Sequence, residues 1–243
     1  MKLRTLLCTS FSALTMAAAS VQAAPMYESF TDGSLPATFE ETSSSPNYTA
    51  NGVQFPGGGD GERRYIRTVF SDFAASDFIA EVTVTIVGGG GYANGFFGLG
   101  TGERNAVLEQ GWGEPVAGVH AFLRVTPTAW PQGLQVFTSG SENSPKVEPW
   151  VGDGTHRLRM IYDADAQTIA FEVHANYAGG PFVATHSVAP ISVADVGYDA
   201  TNAHIFFGGA GNVTYRDFVV VPEPASLALI GVGATLMLRR RRN

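Results

Sequence analysis

From Ile79 to Ile86 the chain reads Ile-Ala-Glu-Val-Thr-Val-Thr-Ile, with apolar and polar residues alternating, which is the period of a strand with one buried face. Ten segments bounded by turn residues read as strands: 52–55, 65–70, 78–87, 95–100, 119–125, 134–137, 156–162, 168–174, 204–208 and 215–220. The pattern is clearest where Arg157 to Tyr162 and Thr168 to Val173 flank the acidic stretch Asp163-Ala164-Asp165-Ala166-Gln167, which predicts a β-hairpin with an Asp-rich turn. No amphipathic helical stretch of useful length interrupts the series, and no linker divides it. About two hundred residues therefore form one all-β domain, within the range of a single sandwich or barrel.

Both ends depart from this pattern. Lys2 and Arg4 precede a run rich in Leu, Ala and Met that closes on Val21-Gln22-Ala23, the layout of a secretory signal peptide over residues 1–23. Cleavage after Ala23 fits the small-residue rule, whereas cleavage after Ala24 would leave Pro25 first. Cys8, the only cysteine, leaves with the signal, so the mature chain has no disulfide scaffold and no multi-cysteine metal site. Downstream, Val221-Pro222-Glu223-Pro224 leads into an apolar run from Ala225 to Leu238 and then Arg239, Arg240, Arg241 and Arg242. As a helix, residues 225–238 would span roughly 21 Å against a hydrocarbon core of about 30 Å, which suits a transient anchor better than a permanent one. The arginines hold that end in the cytoplasm and place the preceding chain across the membrane.

The VPEP motif, short apolar segment and Arg cluster over residues 221–243 resemble the PEP-CTERM sorting signal of Gram-negative, exopolysaccharide-producing bacteria. The resemblance implies signal peptidase and an exosortase as processing partners, with cleavage near Pro222-Glu223-Pro224. It also implies passage through the inner membrane, where residues 225–242 hold the chain transiently, and delivery to the cell surface or extracellular matrix. Without its two ends the chain keeps nine cations against twenty-two acids, near −13. That balance argues against nucleic acid, which needs a basic face, and suits neutral glycans or divalent cations.

The strand order across residues 24–220, from "GVQF" through "RRYIRTVFSDF", "DFIAEVTVTI" and "DGTHRLRMIYDADAQTIAFEV" to "HIFFGGAGNVTYRDFVV", resembles the concanavalin A-like lectin/glucanase jelly-roll β-sandwich, laminin-G-like domains included. Closure of such a fold sets the last strand beside the first. The glucanases of that family carry Glu-x-Asp-x-x-Glu on one strand, and the legume lectins begin their metal motif with Glu-x-Asp; this chain contains no Glu-x-Asp. No Gly-x-Ser-x-Gly, His-Glu-x-x-His or P-loop is present, so no catalytic residue is assigned. Asp163 and Asp165, with Asp60/Glu62 and Asp195/Asp199, are the oxygen-rich turns available to a structural calcium, and turn capping is the competing role. Trp112, Trp130 and Trp150 fall between strands and are the candidates for stacking on sugar rings, against the alternative that each covers an end of the core. Three functions follow: a non-catalytic carbohydrate-binding surface protein, a glycoside hydrolase or polysaccharide lyase with displaced catalytic residues, and a purely structural surface protein.

Overall fold

The computed structural model describes residues 25–41, 46–56, 64–73, 76–88, 93–101, 118–125, 133–138, 141–142, 152–193 and 202–222. Fifteen strands form two sheets: β1 (Met26–Glu28), β2 (Phe39–Glu41), β3 (Asn47–Thr49), β4 (Gly52–Phe55), β5 (Arg64–Thr68), β6 (Phe78–Ile86), β7 (Ala93–Thr101), β8 (Gly118–Val125), β9 (Gly133–Thr138), β10 (Ser141–Glu142), β11 (Gly154–Asp163), β12 (Thr168–His174), β13 (His186–Ser192), β14 (Ala203–Ala210) and β15 (Val213–Pro222). One sheet runs β13-β12-β11-β6-β15-β4-β3 with β1 added beside β15; the other runs β10-β9-β8-β7-β14-β5-β2. Every ladder is antiparallel, so each strand presents one face to the space between the sheets, where Val82, Val84, Leu158, Met160, Phe171, Phe97, Leu99, Ile205 and Phe207 pack in one core.

All ten expected strands are present within a few residues of their expected bounds, and the Asp163–Thr168 hairpin joins β11 to β12. The strands that the alternation did not reveal are β1, β2, β3, β10 and β13. Four of these are the outer edges of the two sheets, and β1 pairs with β15 alone. Edge strands gain a neighbour on one side only and need no strict alternation, and β13 accommodates Pro190 because an edge can spare the ladder amide.

The last strand closes the sandwich as expected. Val213 and Tyr215 pair with Phe55 and Val53 of the GVQF strand, while Phe218 and Val220 pair with Glu28 and Met26. The register shift between Arg216 and Val219, with Asp217 in the left-handed region at φ 51°, is the bulge that lets β4 and β1 share one edge of β15. β15 continues two residues past the expected boundary at 220, since Val221 pairs with Ile79 and Pro222 with Phe78. The first half of the VPEP motif is therefore part of the sheet. Among the described residues no helix is long and apolar enough to cross a membrane, and residues 225–238 lie outside them.

One contact keys the two sheets together. Tyr215 is fully buried, and its hydroxyl reaches across the core to share its proton between the carbonyls of Gly208, at 2.8 Å, and Phe96, at 3.1 Å. The sheet opposite can admit the ring because Gly95 and Gly209 face each other in the β7–β14 ladder; a Cβ on Gly95 would stand 2.7 Å from the Tyr215 hydroxyl.

Candidate functional site

Strands β7 and β14 are buried on both faces, which an outer sheet of a two-layer sandwich does not require. Ala203, Ile205 and Phe207 enter the core between the sheets, and so do Ala93, Phe97 and Leu99. The alternate positions Phe96 and Phe206, with Tyr65 of β5, are also buried but belong to a separate cluster on the far face of the seven-stranded sheet. Their rings meet at centroid distances of 6.0 to 6.4 Å in tilted and edge-on arrangements. Register sets them close: Gly208 lies opposite Tyr65 on one side and Phe96 on the other, and Phe206 opposite Arg67 and Gly98.

Polar groups surround this aromatic cluster. Asn94, Gln135, Arg67 and His204 are all at most 7% exposed. The Arg67 guanidinium is aimed by Glu40, whose Oε1 accepts from both Nε and a terminal nitrogen at 2.6 Å. His204 donates from Nδ1 to the Thr68 carbonyl at 2.6 Å, which fixes its tautomer. At this burial the polar groups and rings form a packed layer on the far face of the sheet.

The outward face of the eight-stranded sheet holds a second cluster that the sequence reading did not reveal. Glu81 bridges Arg157 at 2.7 Å and Arg159 at 2.6 Å, and Arg159 also meets Glu172 at 3.4 Å. The connection from β12 to β13 folds over these groups: the Phe182 ring centroid lies 3.7 Å from the Arg159 guanidinium carbon and the Tyr177 ring centroid 5.6 Å from that of Arg157. The signal was present as the outward half of the alternation, Glu81 opposite Arg159 across two neighbouring strands.

His156 ties this connection to the turn before β11. Its Nδ1 accepts the Asn176 amide N–H at 3.3 Å while Nε2 donates to the Gly152 carbonyl at 3.2 Å, a pair of roles that only a neutral ring fills. Burial pulls the pKa of His156 below its usual value, and burial does the same to His204. Both rings therefore bind protons less readily folded than unfolded. The stability they contribute is present above the unfolded pKa of about 6.5 and is lost as pH falls through the depressed folded values. Urea midpoints should fall between pH 7 and pH 5, and His156→Gln should lessen the fall; equal midpoints across that range would contradict this account.

Of the residues singled out in the sequence, Asp163 accepts the Ala166 amide N–H at 2.7 Å, the turn-capping role, and Asp165 is exposed on the same turn. Among the described residues no three His, Cys, Asp or Glu side chains are grouped to hold a metal ion. Trp112, Trp130 and Trp150, the acidic pairs Asp60/Glu62 and Asp195/Asp199, Ala23, Ala24, Glu223, Pro224 and Arg239 to Arg242 lie outside the described residues. The strands that bracket the tryptophans are described: Trp112 falls between β7 and β8, Trp130 between β8 and β9, and Trp150 between β10 and β11.

Residues 220–242 match the family model of the PEP-CTERM protein-sorting motif. No curated protein is significantly similar to the chain. Among solved structures, lectin II from Ulex europaeus is similar over 82% of this chain and 98% of its own, with a TM-score of 0.55 and 8% identity. The Lotus tetragonolobus seed lectin covers 82% and 97%, with a TM-score of 0.55 and 13% identity. The VIP36 exoplasmic/lumenal domain, in a Ca2+/Man2-bound form, covers 83% and 88%, with a TM-score of 0.55 and 11% identity. The chain thus ends in a PEP-CTERM protein-sorting motif and has the legume-lectin-like, concanavalin A-type jelly-roll fold.

Proposed function

We propose that the protein is exported, processed by an exosortase at its C-terminal motif, and displayed at the cell surface or in the extracellular matrix, where its sandwich binds a neutral polysaccharide without cleaving it. The observation that carries this reading is the legume-lectin-like jelly roll, and the buried Tyr65–Phe96–Phe206 cluster with Asn94, Gln135 and a Glu40-aimed Arg67 stiffens the far face of its seven-stranded sheet from within. The PEP-CTERM motif supports the export half, and the fold shared with sugar-binding lectins supports the binding half. Trp112, Trp130 and Trp150 supply stacking surfaces in this reading, and the acidic turns at Asp163/Asp165, Asp60/Glu62 and Asp195/Asp199 are the candidate ligands of a structural calcium.

Shallow aromatic–sugar contacts are worth about 1 kcal/mol each, so dissociation constants between roughly micromolar and millimolar are expected. A glycan array with the processed protein tests this. Trp→Ala at a ligand-contacting position should weaken binding about fivefold with an unchanged melt, while a core-covering tryptophan lowers the melt instead. New reducing ends from a β-glucan would replace the binding reading with an enzymatic one, and an array without retained glycan would leave the structural one.

A further inference from the structure

Large apolar side chains are exposed at six described positions, Tyr27, Val69, Phe70, Val87, Val183 and Val221, and four of them meet at one end of the sandwich. Tyr27 and Phe70 line a cleft of about 510 Å³ with Pro25, Met26, Thr38 and Phe73. Met26 pairs with Val220, which brings Pro25 beside Val221. The patch is held in place by backbone bonds: Val69 donates to the Thr38 carbonyl at 2.9 Å, and Ala203 donates to that of Ser71 at 2.8 Å. It is also the end at which the chain leaves the domain.

Pro222 is still paired with Phe78, and only Glu223 and Pro224 separate it from the apolar run that starts at Ala225. The three extended steps from Pro222 to Ala225 reach at most about 11 Å. When residues 225–238 enter a bilayer, the patch is therefore brought to the headgroup layer. An aromatic ring with one polar edge suits that layer, and Tyr27 meets the description, its hydroxyl 3.3 Å from Asp217. Asp72 lines the cleft and Glu223 follows it, so the local charge opposes an anionic surface and favours a zwitterionic one.

We propose that this end of the sandwich is a membrane-docking surface: Tyr27, Val69, Phe70 and Val221 rest in the headgroup region of a zwitterionic bilayer and hold the folded domain against the membrane while its sorting signal is processed. The proposal rests on the tail's entering the membrane, and the test separates the two. The signal-processed chain from Ala24 onward, which keeps its C-terminal tail and contains no cysteine, carries one environment-sensitive fluorophore at Tyr27→Cys, Phe70→Cys, Val87→Cys or Leu229→Cys, in phosphatidylcholine vesicles containing a spin-labelled lipid. Val87 is the control because it stands at the opposite end, its amide bonded to the Asn212 carbonyl in the β14–β15 turn. The expected result is quenching by roughly half or more at 229, 27 and 70 with little at 87, as interfacial side chains share the lipid environment. An unquenched label at 229 would sink the tail's insertion, and the proposal with it. Quenching at 229 with none at 27 and 70, or equal quenching at 70 and 87, would overturn the docking surface alone. Shielding of 27 and 70 from water only when the exosortase is co-reconstituted would assign the patch to that protein instead of the lipid.

Discussion

Gly209→Ala should cost the domain about 3 kcal/mol, because the added methyl falls in a core already at packing density. A Cβ there would collide with the Asn94 carbonyl oxygen of the adjacent strand, a contact that only a shift of backbone relieves. That shift disturbs more than one ladder. Gly209 lies opposite Gly95, and beside this pair the Tyr215 hydroxyl bonds the carbonyls of Gly208 and Phe96. Phe207 and Phe55 pack with Tyr215 around the same point, their centroids 4.9 and 5.8 Å from the tyrosine ring, respectively. Tyr215→Phe provides the calibration. It keeps the ring and removes only the shared hydrogen bond, so about 1 to 2 kcal/mol is expected, with m-value unchanged. A Gly209→Ala variant as stable as Tyr215→Phe would show that the glycine pair is not the socket described.

The same region shows how far the sequence could be read. Alternation located Phe78–Ile86, Gly154–Asp163 and Thr168–His174 because each has one buried and one outward face, so period two is written directly in residue type. It found the core of β14 but not its meaning: Ala203–Ala210 is buried at every position, and a strand covered on both faces loses the polar half of its signature. The far-face cluster was therefore not legible, since Phe96 and Phe97 look equally like core until register sorts one to each side of the sheet. The short edge strands carry too few residues for any period. The sorting motif, by contrast, was legible at once, because its function depends on the order of three short segments and not on contacts made by folding. What order alone could not reveal is that Val221 and Pro222 belong to β15.

Contacts across strands also set the second large effect: Glu81→Ala should destabilise the domain by about 3 kcal/mol, within the range for removing one partner from a buried ion pair. Glu81 is 14% exposed in its side chain, and Arg157 and Arg159 are 12% and 24% exposed. Without the carboxylate, two guanidiniums remain close together and largely shielded from water. Arg159 keeps the longer contact to Glu172, at 3.4 Å, and Arg157 keeps the Thr83 hydroxyl at 2.8 Å, so the loss is partial. Its consequence reaches the β12–β13 connection, which is stacked on these arginines through Phe182 and Tyr177 and anchored by the Tyr177 amide to the Thr155 carbonyl at 2.7 Å. Phe182→Ala removes the ring without stranding a charge and should cost about 1 kcal/mol. Hydrogen exchange distinguishes the two: in Glu81→Ala the Tyr177 and Val183 amides should lose protection together with the neighbouring strands, whereas in Phe182→Ala the loss should stay within residues 175–185. A Glu81→Ala domain within about 0.5 kcal/mol of the parent would mean that the arginines are held by Glu172, Thr83 and the aromatic rings, and that the carboxylate between them is dispensable.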